Sequence, residues 1–251
     1  MIRGLYAAAS GMLAEQAIQD TLASNIANAN TVGFKQDVPT FRALHGMAVH
    51  SLINGAGRGP RVGELGVGVA TDKVYTDWQT GPLAQTGNPL DASLGDNLFF
   101  AVRAPGGERY TRAGNFHLDG SGRLRNAAGL PVLNANGQPI VTTPGQRHFA
   151  LDGAGNLTAD GRPIARLRIV QANPAMLIKA GDSLFTAANP QAVRLAANPV
   201  VHPGMLEQSN ANAVTDLVRL ITVSRGFEMA QRAVTTQDEL LRLAATEVGK
   251  A

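Results

Sequence analysis

Both ends of this chain carry apolar residues at helical spacing, and the long middle does not. In residues 212–248, Leu220, Val223, Phe227, Ala230, Val234, Gln237, Leu241, Ala244 and Val248 recur at alternating steps of three and four. That is a heptad seam, interrupted only by Gln237. Val214, Leu217, Val218 and Ile221 make a second apolar stripe beside it. In residues 2–28, Leu5, Ala8, Met12, Ile18, Leu22 and Ile26 line one side, with Gln16, Gln19, Asp20 and Ser24 on the other. A C-terminal helix of about 36 residues is about 54 Å long at ~1.5 Å per residue, more than a compact domain of this size needs. A long seam on a terminal helix has no purpose unless another helix covers it. The nearest candidate is the segment at the opposite end of the sequence. The predicted fold class is α+β: terminal α-helices forming a coiled-coil-like pair, with a central, mainly antiparallel β domain looped out between them.

Residues 25–35 punctuate the first helix, because Asn25, Asn28, Asn30 and Gly33 fall within nine positions. Asn and Gly both tolerate the left-handed region, which suits a helix C-cap and turn. For the second helix, Ser209, Asn210 and Asn212 are N-cap candidates and Asp216 suits the positive end of the helix dipole. Gly249 closes it, and Glu228–Arg232 and Asp238–Arg242 are acid-before-base pairs four apart.

These signals divide the chain into an N-terminal helical core segment (1–35), a Gly-rich variable connector (36–70), a central β domain (71–204) and a C-terminal helical core segment (205–251). Between the helices the period shifts toward two. Val67, Val69, Lys73–Tyr75 and Trp78 look like strand material, and Leu98–Val102 reads as a buried strand. Asp119-Gly120, Asn136-Gly137, Asp152-Gly153 and Asp160-Gly161 mark turns. Leu118–Leu124 is echoed by Leu151–Leu157, each followed by a Gly-x-Pro-aliphatic step. Each echo offers one Asp, too few oxygens for a calcium loop, so repeated hairpins are expected and no metal.

The formal net charge is +3 with scattered basic residues, whereas a nucleic-acid footprint needs them clustered on one face. No cysteine is present, which excludes disulfide scaffolds, thiolate zinc sites and cysteine nucleophiles. No apolar run approaches a bilayer span, and the start lacks the apolar stretch of a Sec signal, so any export would follow a route that retains the N-terminus. Residues 54–63 are rich in Gly but lack the Gly-Lys-Ser/Thr of a phosphate loop.

The search for catalysis is thin. His45, His50, His117, His148 and His202 show no zinc-peptidase spacing, and no Gly-x-Ser-x-Gly elbow occurs. Asp91 and Asp96, five apart, would point to opposite faces of a strand. No catalytic, cofactor or metal residue is assigned, and no small-molecule substrate is expected.

Two terminal motifs and a central one carry a resemblance. Ser10-Gly11-Met12 with Asn25–Lys35 resembles the N-terminal signature of the bacterial flagellar rod and hook proteins. Gly204–Asn212 followed by Arg225-Gly226-Phe227-Glu228 is similar to that family's C-terminal hallmark. Phe99–Val102, Tyr110–Phe116 and Gly122-Arg123-Leu124 resemble the β domain of its rod proteins. The resemblance covers nearly the whole chain. One departure is Asn97, where the family generally has the second Gly of a Gly-x-Gly-aromatic turn.

The resemblance implies an axial subunit exported unfolded through the flagellar type III apparatus and stacked helically into a hollow, torque-transmitting tube. Its partners would be copies of itself and other rod and hook subunits. Its place would be the extracytoplasmic basal body, periplasmic where an outer membrane exists. Helix stripes and terminal motifs together nominate Leu5, Met12, Leu22, Asn25, Ile26, Asn28, Asn30, Gly33, Phe34, Ser209, Asn210, Leu217, Leu220, Phe227, Val234 and Leu241 as assembly residues. A hook-type subunit, a cell-wall-acting β-rich enzyme and a secreted adhesin are the alternative readings.

Overall fold

A computed structural model describes residues 2–44, 46–51 and 59–248. His45, residues 54–58 of the Gly-rich stretch and the expected helix-closing Gly249 lie outside them. The chain divides into two compact units. One, helical, holds Met1–Ala27, Asp37–Asp77 and Asn212–Ala251, and the other, built of strands, holds Asn28–Gln36 and Trp78–Ala211.

In the helical unit, α1 (Ile2–Ala27) is followed by β1 (Asp37–Ala43), β2 (Met47–His50), β3 (Arg61–Leu65) and β4 (Val69–Thr76), and the unit ends with α2 (Ala213–Val248). Among the N-cap candidates, Asn212 does the work. Its Oδ1 accepts from the N–H of Val214 and of Thr215, both at 3.1 Å, which satisfies two otherwise orphaned donors of the first turn. α1 and α2 run antiparallel. A Cβ at Gly4 would lie 2.6 Å from Gln237 Nε2, and one at Gly226 would lie 3.0 Å from Glu15 Oε1. Moving forward along α1 from the first contact to the second therefore moves backward along α2.

Between Leu220 and Leu241, the α2 positions that escape full exposure are Leu220, Val223, Gly226, Phe227, Ala230, Val234, Gln237 and Leu241. These are the seam residues plus one glycine. The second stripe is bare, with Val214 75%, Leu217 51%, Val218 60% and Ile221 49% exposed. The acid-before-base steps make no ion pair among the described residues; the α2 pair is Arg219–Asp216, at 3.7 Å. On exposed helix faces, side-chain entropy cancels most of the gain from such pairs.

Residues 36–70 hold strands where composition suggests a connector. β1 pairs antiparallel with β4, and β2 pairs with β3. Glycine frequency hides these short strands from propensity arguments, because their stability comes from cross-strand pairing.

The strand unit is built on a six-stranded antiparallel sheet. Its spatial order is Leu177–Lys179, Leu184–Ala187, Gly107–Thr111, Leu98–Ala104, Ile169–Ala172, Val193–Leu195. Leu98–Ala104 is central and buried on both faces, as an unbroken apolar run suggests. Successive side chains alternate, so Phe99 meets Trp78 and Phe185 on one side while Phe100 meets Phe116 edge-on at 4.9 Å on the other. Asn97, just before this strand, has φ +57°, the left-handed geometry its glycine counterpart would supply.

The turns differ from the expected two-residue Asp-Gly type. Only Asp160-Gly161 has positive φ at both residues, as a type I′ hairpin turn requires. Elsewhere the device is Asp or Asn followed three residues later by Gly, and among the described residues it occurs four times: Asp119/Gly122, Asn126/Gly129, Asn134/Gly137 and Asp152/Gly155. In each the glycine has φ between +74° and +79° and donates its N–H to the carbonyl of the Asp or Asn. The side-chain oxygen of that residue accepts from the N–H four positions on. The repeat is thus fourfold, and half of it escapes a search for Asp because Asn does the same hydrogen bonding. Ser121, through its hydroxyl, and the N–H of Arg123 hold the Asp119 carboxyl well below the usual carboxylate range.

Candidate functional site

Buried within the strand unit is an ion triad. Lys35 Nζ lies 2.6 Å from Glu207 Oε1, and the Arg112 guanidinium reaches Glu207 Oε2 through Nε at 2.8 Å and a terminal nitrogen at 2.6 Å. All three side chains are at most 3% exposed. Burying charge is costly unless every polar atom finds a partner, and here each does. The Lys35 ammonium also donates to the carbonyl of Gln79 at 2.6 Å. Arg112 donates to the carbonyls of Gly95 and Leu98, both at 2.7 Å, and of Leu94. The Gly81 N–H donates to Glu207 Oε1 at 3.1 Å.

Backbone contacts tie the same segments together. The N–H of Gly33 donates to the Glu207 carbonyl at 2.8 Å. Gly33 has φ +67°, and a Cβ there would fall 2.4 Å from the Ala113 nitrogen. Only glycine meets both conditions. Phe34 is buried beneath the Lys179 ammonium, 4.4 Å from the ring centroid. The N–H of Gln36 donates to Asn210 Oδ1 at 2.7 Å. Ser209 is buried and accepts from the Ala211 N–H through Oγ.

A second clasp lies in the helical unit. Asn25, 2% exposed at the end of α1, donates through Nδ2 to the Asp37 carbonyl at 2.8 Å and accepts from the Asp37 N–H at 2.9 Å. One side chain thus brackets the residues that leave for the strand unit and return.

The remaining nominated residues fall into three groups. Asn28 shapes the turn by accepting from the N–H and hydroxyl of Thr31. Leu22 is buried, and Leu5, Met12, Ile26, Leu220, Phe227, Val234 and Leu241 are half-buried along the helices. Asn30 and Leu217 are exposed. Lys35, Arg112 and Glu207 each lie inside one of the three motifs that carry the resemblance, but none is nominated, because a charged residue reads as surface until its partner is known.

Other chemistry is sparse. Asp91 is buried and accepts from Thr86 and Asn88, while the exposed Asp96 accepts from Thr80. A cleft of about 410 Å³ is walled by Lys35, Trp78, Thr80, Asp96, Phe99 and Arg112, yet both cations on its wall are already committed. Among the described residues no group of three or more His, Asp or Glu is arranged to hold a metal ion.

A buried fastener that gathers the N-terminal turn, the sheet and the C-terminal strand is the device of a structural subunit. Three family matches cover the same parts of the chain: "Flagella basal body rod protein" over residues 5–35, "Flagellar hook protein FlgE/F/G D1 domain" over 95–169, and "Flagellar basal body rod FlgEFG protein C-terminal" over 202–247. Each contributes one member of the triad: Lys35, Arg112 and Glu207 respectively. The chain is 31% identical over 262 residues to the flagellar basal-body rod protein FlgG of Bacillus subtilis, covering 96% of this chain and 97% of that one. It is 31% identical over 251 residues to FlgF of Caulobacter vibrioides (100% and 99% covered). It is also 29% identical over 272 residues to the flagellar hook-basal body complex protein FlhO of Bacillus subtilis, with both chains fully covered. The chain belongs to the flagellar basal-body rod protein family.

Proposed function

We propose that this chain is an axial subunit of the bacterial flagellar rod, polymerising with copies of itself and with other rod and hook subunits into a hollow tube that transmits torque. The observation that carries this reading is the bare apolar stripe Val214, Leu217, Val218 and Ile221 on a helix whose other face is already covered. Apolar patches of this kind mark interaction sites, and a contact between unlike faces that does not close produces a filament. α1 and α2 act as a coiled-coil-like pair that forms the assembly core, with Leu5, Met12, Leu220, Phe227, Val234 and Leu241 holding the pair together. Residues 71–204 form the outer body, and residues 36–70 distinguish one rod level from another. The subunit reaches the extracytoplasmic basal body through the type III apparatus, and its work is mechanical, not catalytic.

Leu217→Asp tests this reading, since the side chain is half exposed and its loss should leave the isolated fold intact. In a strain lacking the native gene, the variant is expected to keep the parent's circular dichroism but fail to join basal bodies or restore swimming. Normal basal bodies would count against the proposal.

A further inference from the structure

We propose that two polar side chains, Glu15 and Gln237, set the register in which α1 lies on α2. Four residues of this helix pair break the usual rules. Gly226 interrupts the interior of α2, which weakens a helix, and Gly4 takes a place in the first turn of α1. Glu15 and Gln237 place polar groups along a half-buried helix contact. Gln237 Oε1 is buried without a hydrogen-bond partner, and Glu15 has no ion pair among the described residues. All four meet in two contacts. Gln237 of α2 sits on Gly4 of α1, and Glu15 of α1 sits on Gly226 of α2. The contacts are reciprocal and lie three helical turns apart. Local costs that coincide in space signal a specificity device, and a lone polar residue in an apolar seam is the best-attested way to fix helix register.

The apolar seam alone leaves the register ambiguous, because Leu5 and Met12, and Phe227, Val234 and Leu241, repeat every seven residues. A one-heptad slip brings Gln237 to Gly11, a second glycine, where a Cβ has nothing within 4 Å. Gln237 therefore permits two registers. Glu15 decides between them, since the slip carries it from Gly226 to Ala233 and sets Leu22 on Gly226. Register also fixes how the exposed Tyr6 and Leu13 of α1 align with the bare stripe of α2. That consequence rests on the assembly reading; the register does not.

The natural absence of cysteine makes disulfide trapping a clean probe of the isolated chain. Ala8→Cys with Val234→Cys reports the observed register, and Ala8→Cys with Leu241→Cys reports the one-heptad slip. In the parent, the first pair is expected to close at least tenfold faster. Glu15→Leu, and separately Gly226→Leu, which fills the seat from the other helix, should each bring the second pair to a comparable rate. An unchanged preference in either variant overturns the proposal, as does equal closure of both pairs in the parent. The readout needs no polymer, so it succeeds or fails independently of the rod function.

Discussion

Lys35 and Glu207 stand 172 positions apart in the chain and form a fully buried ion pair at 2.6 Å. Arg112 completes the charge arrangement, so the carboxylate bridges two cations inside a shell of backbone carbonyls. Removing one member of such a group leaves the others buried and uncompensated, at a cost of about 3–5 kcal/mol. Replacing all of them with apolar residues of similar volume removes the desolvation penalty as well. Glu207→Gln is therefore expected to weaken the strand unit by about 3–5 kcal/mol. The triple variant Lys35→Met, Arg112→Met, Glu207→Leu should recover most of that loss. Urea unfolding followed through Trp78 checks both, because this single tryptophan packs on Phe99 and Phe185 within the same unit. A triple variant no more stable than Glu207→Gln would show that the triad contributes more than mutual compensation.

Gly33 gives a second test, one that separates strain from space. Its φ of +67° costs an alanine about 1–2 kcal/mol, whereas asparagine tolerates that region. Both replacements bring a Cβ against the Ala113 nitrogen and the Arg112 carbonyl carbon, at 2.4 and 2.5 Å. These are backbone atoms that cannot swing aside. Gly33→Asn is therefore expected to lower the melting temperature nearly as much as Gly33→Ala. Rescue by asparagine would mean that conformation alone requires glycine here.

The parts of this fold legible in the sequence are those whose cause is local. The seam from Leu220 to Leu241 follows from helical periodicity, and the covered face of α2 is that seam. Leu98–Val102 announces a buried strand because nothing in it is polar. What stayed hidden depends on distant partners or on chemical equivalence. Lys35, Arg112 and Glu207 acquire meaning only when three remote segments converge. Asn126 and Asn134 extend a repeat that looks twofold when Asp alone is counted. Strands β1 to β3 are held by pairing, which composition does not encode. Gly226 lies beside the seam as a close-approach point, a role that shows only against Glu15.

Acidity should act through Asp216 and through the strand unit's Asp119 and Asp152 with opposite sign, and Asp216 supplies the unusual half. Burial in the first turn of α2 pushes its carboxyl above the ordinary 3.8, and Arg219 offsets this only in part. Oδ2 has no hydrogen-bond partner. The folded state therefore holds this proton more tightly than the unfolded chain does. Between 3.8 and the raised folded value, the native state binds more protons, so stability falls as pH rises through that window and is regained on acidification. Asp119 and Asp152 of the strand unit go the other way. For Asp152, burial works upward but is outweighed by hydrogen bonds from the Asn156 side chain and from the backbone of Asn156, Ala154 and Gly155. The stability that these two aspartates contribute is present above 3.8 and is lost as pH falls toward their depressed folded values. Asp216→Asn is expected to match or exceed the parent's melting temperature near neutrality, with the advantage shrinking as the solution is made mildly acidic. Asp119→Asn should instead be less stable than the parent near neutrality, with the deficit closing only in strong acid. Thermal melts of the three proteins across that range decide the matter: an Asp216→Asn advantage that grows on mild acidification would place the carboxylate in a favourable, not a desolvated, site.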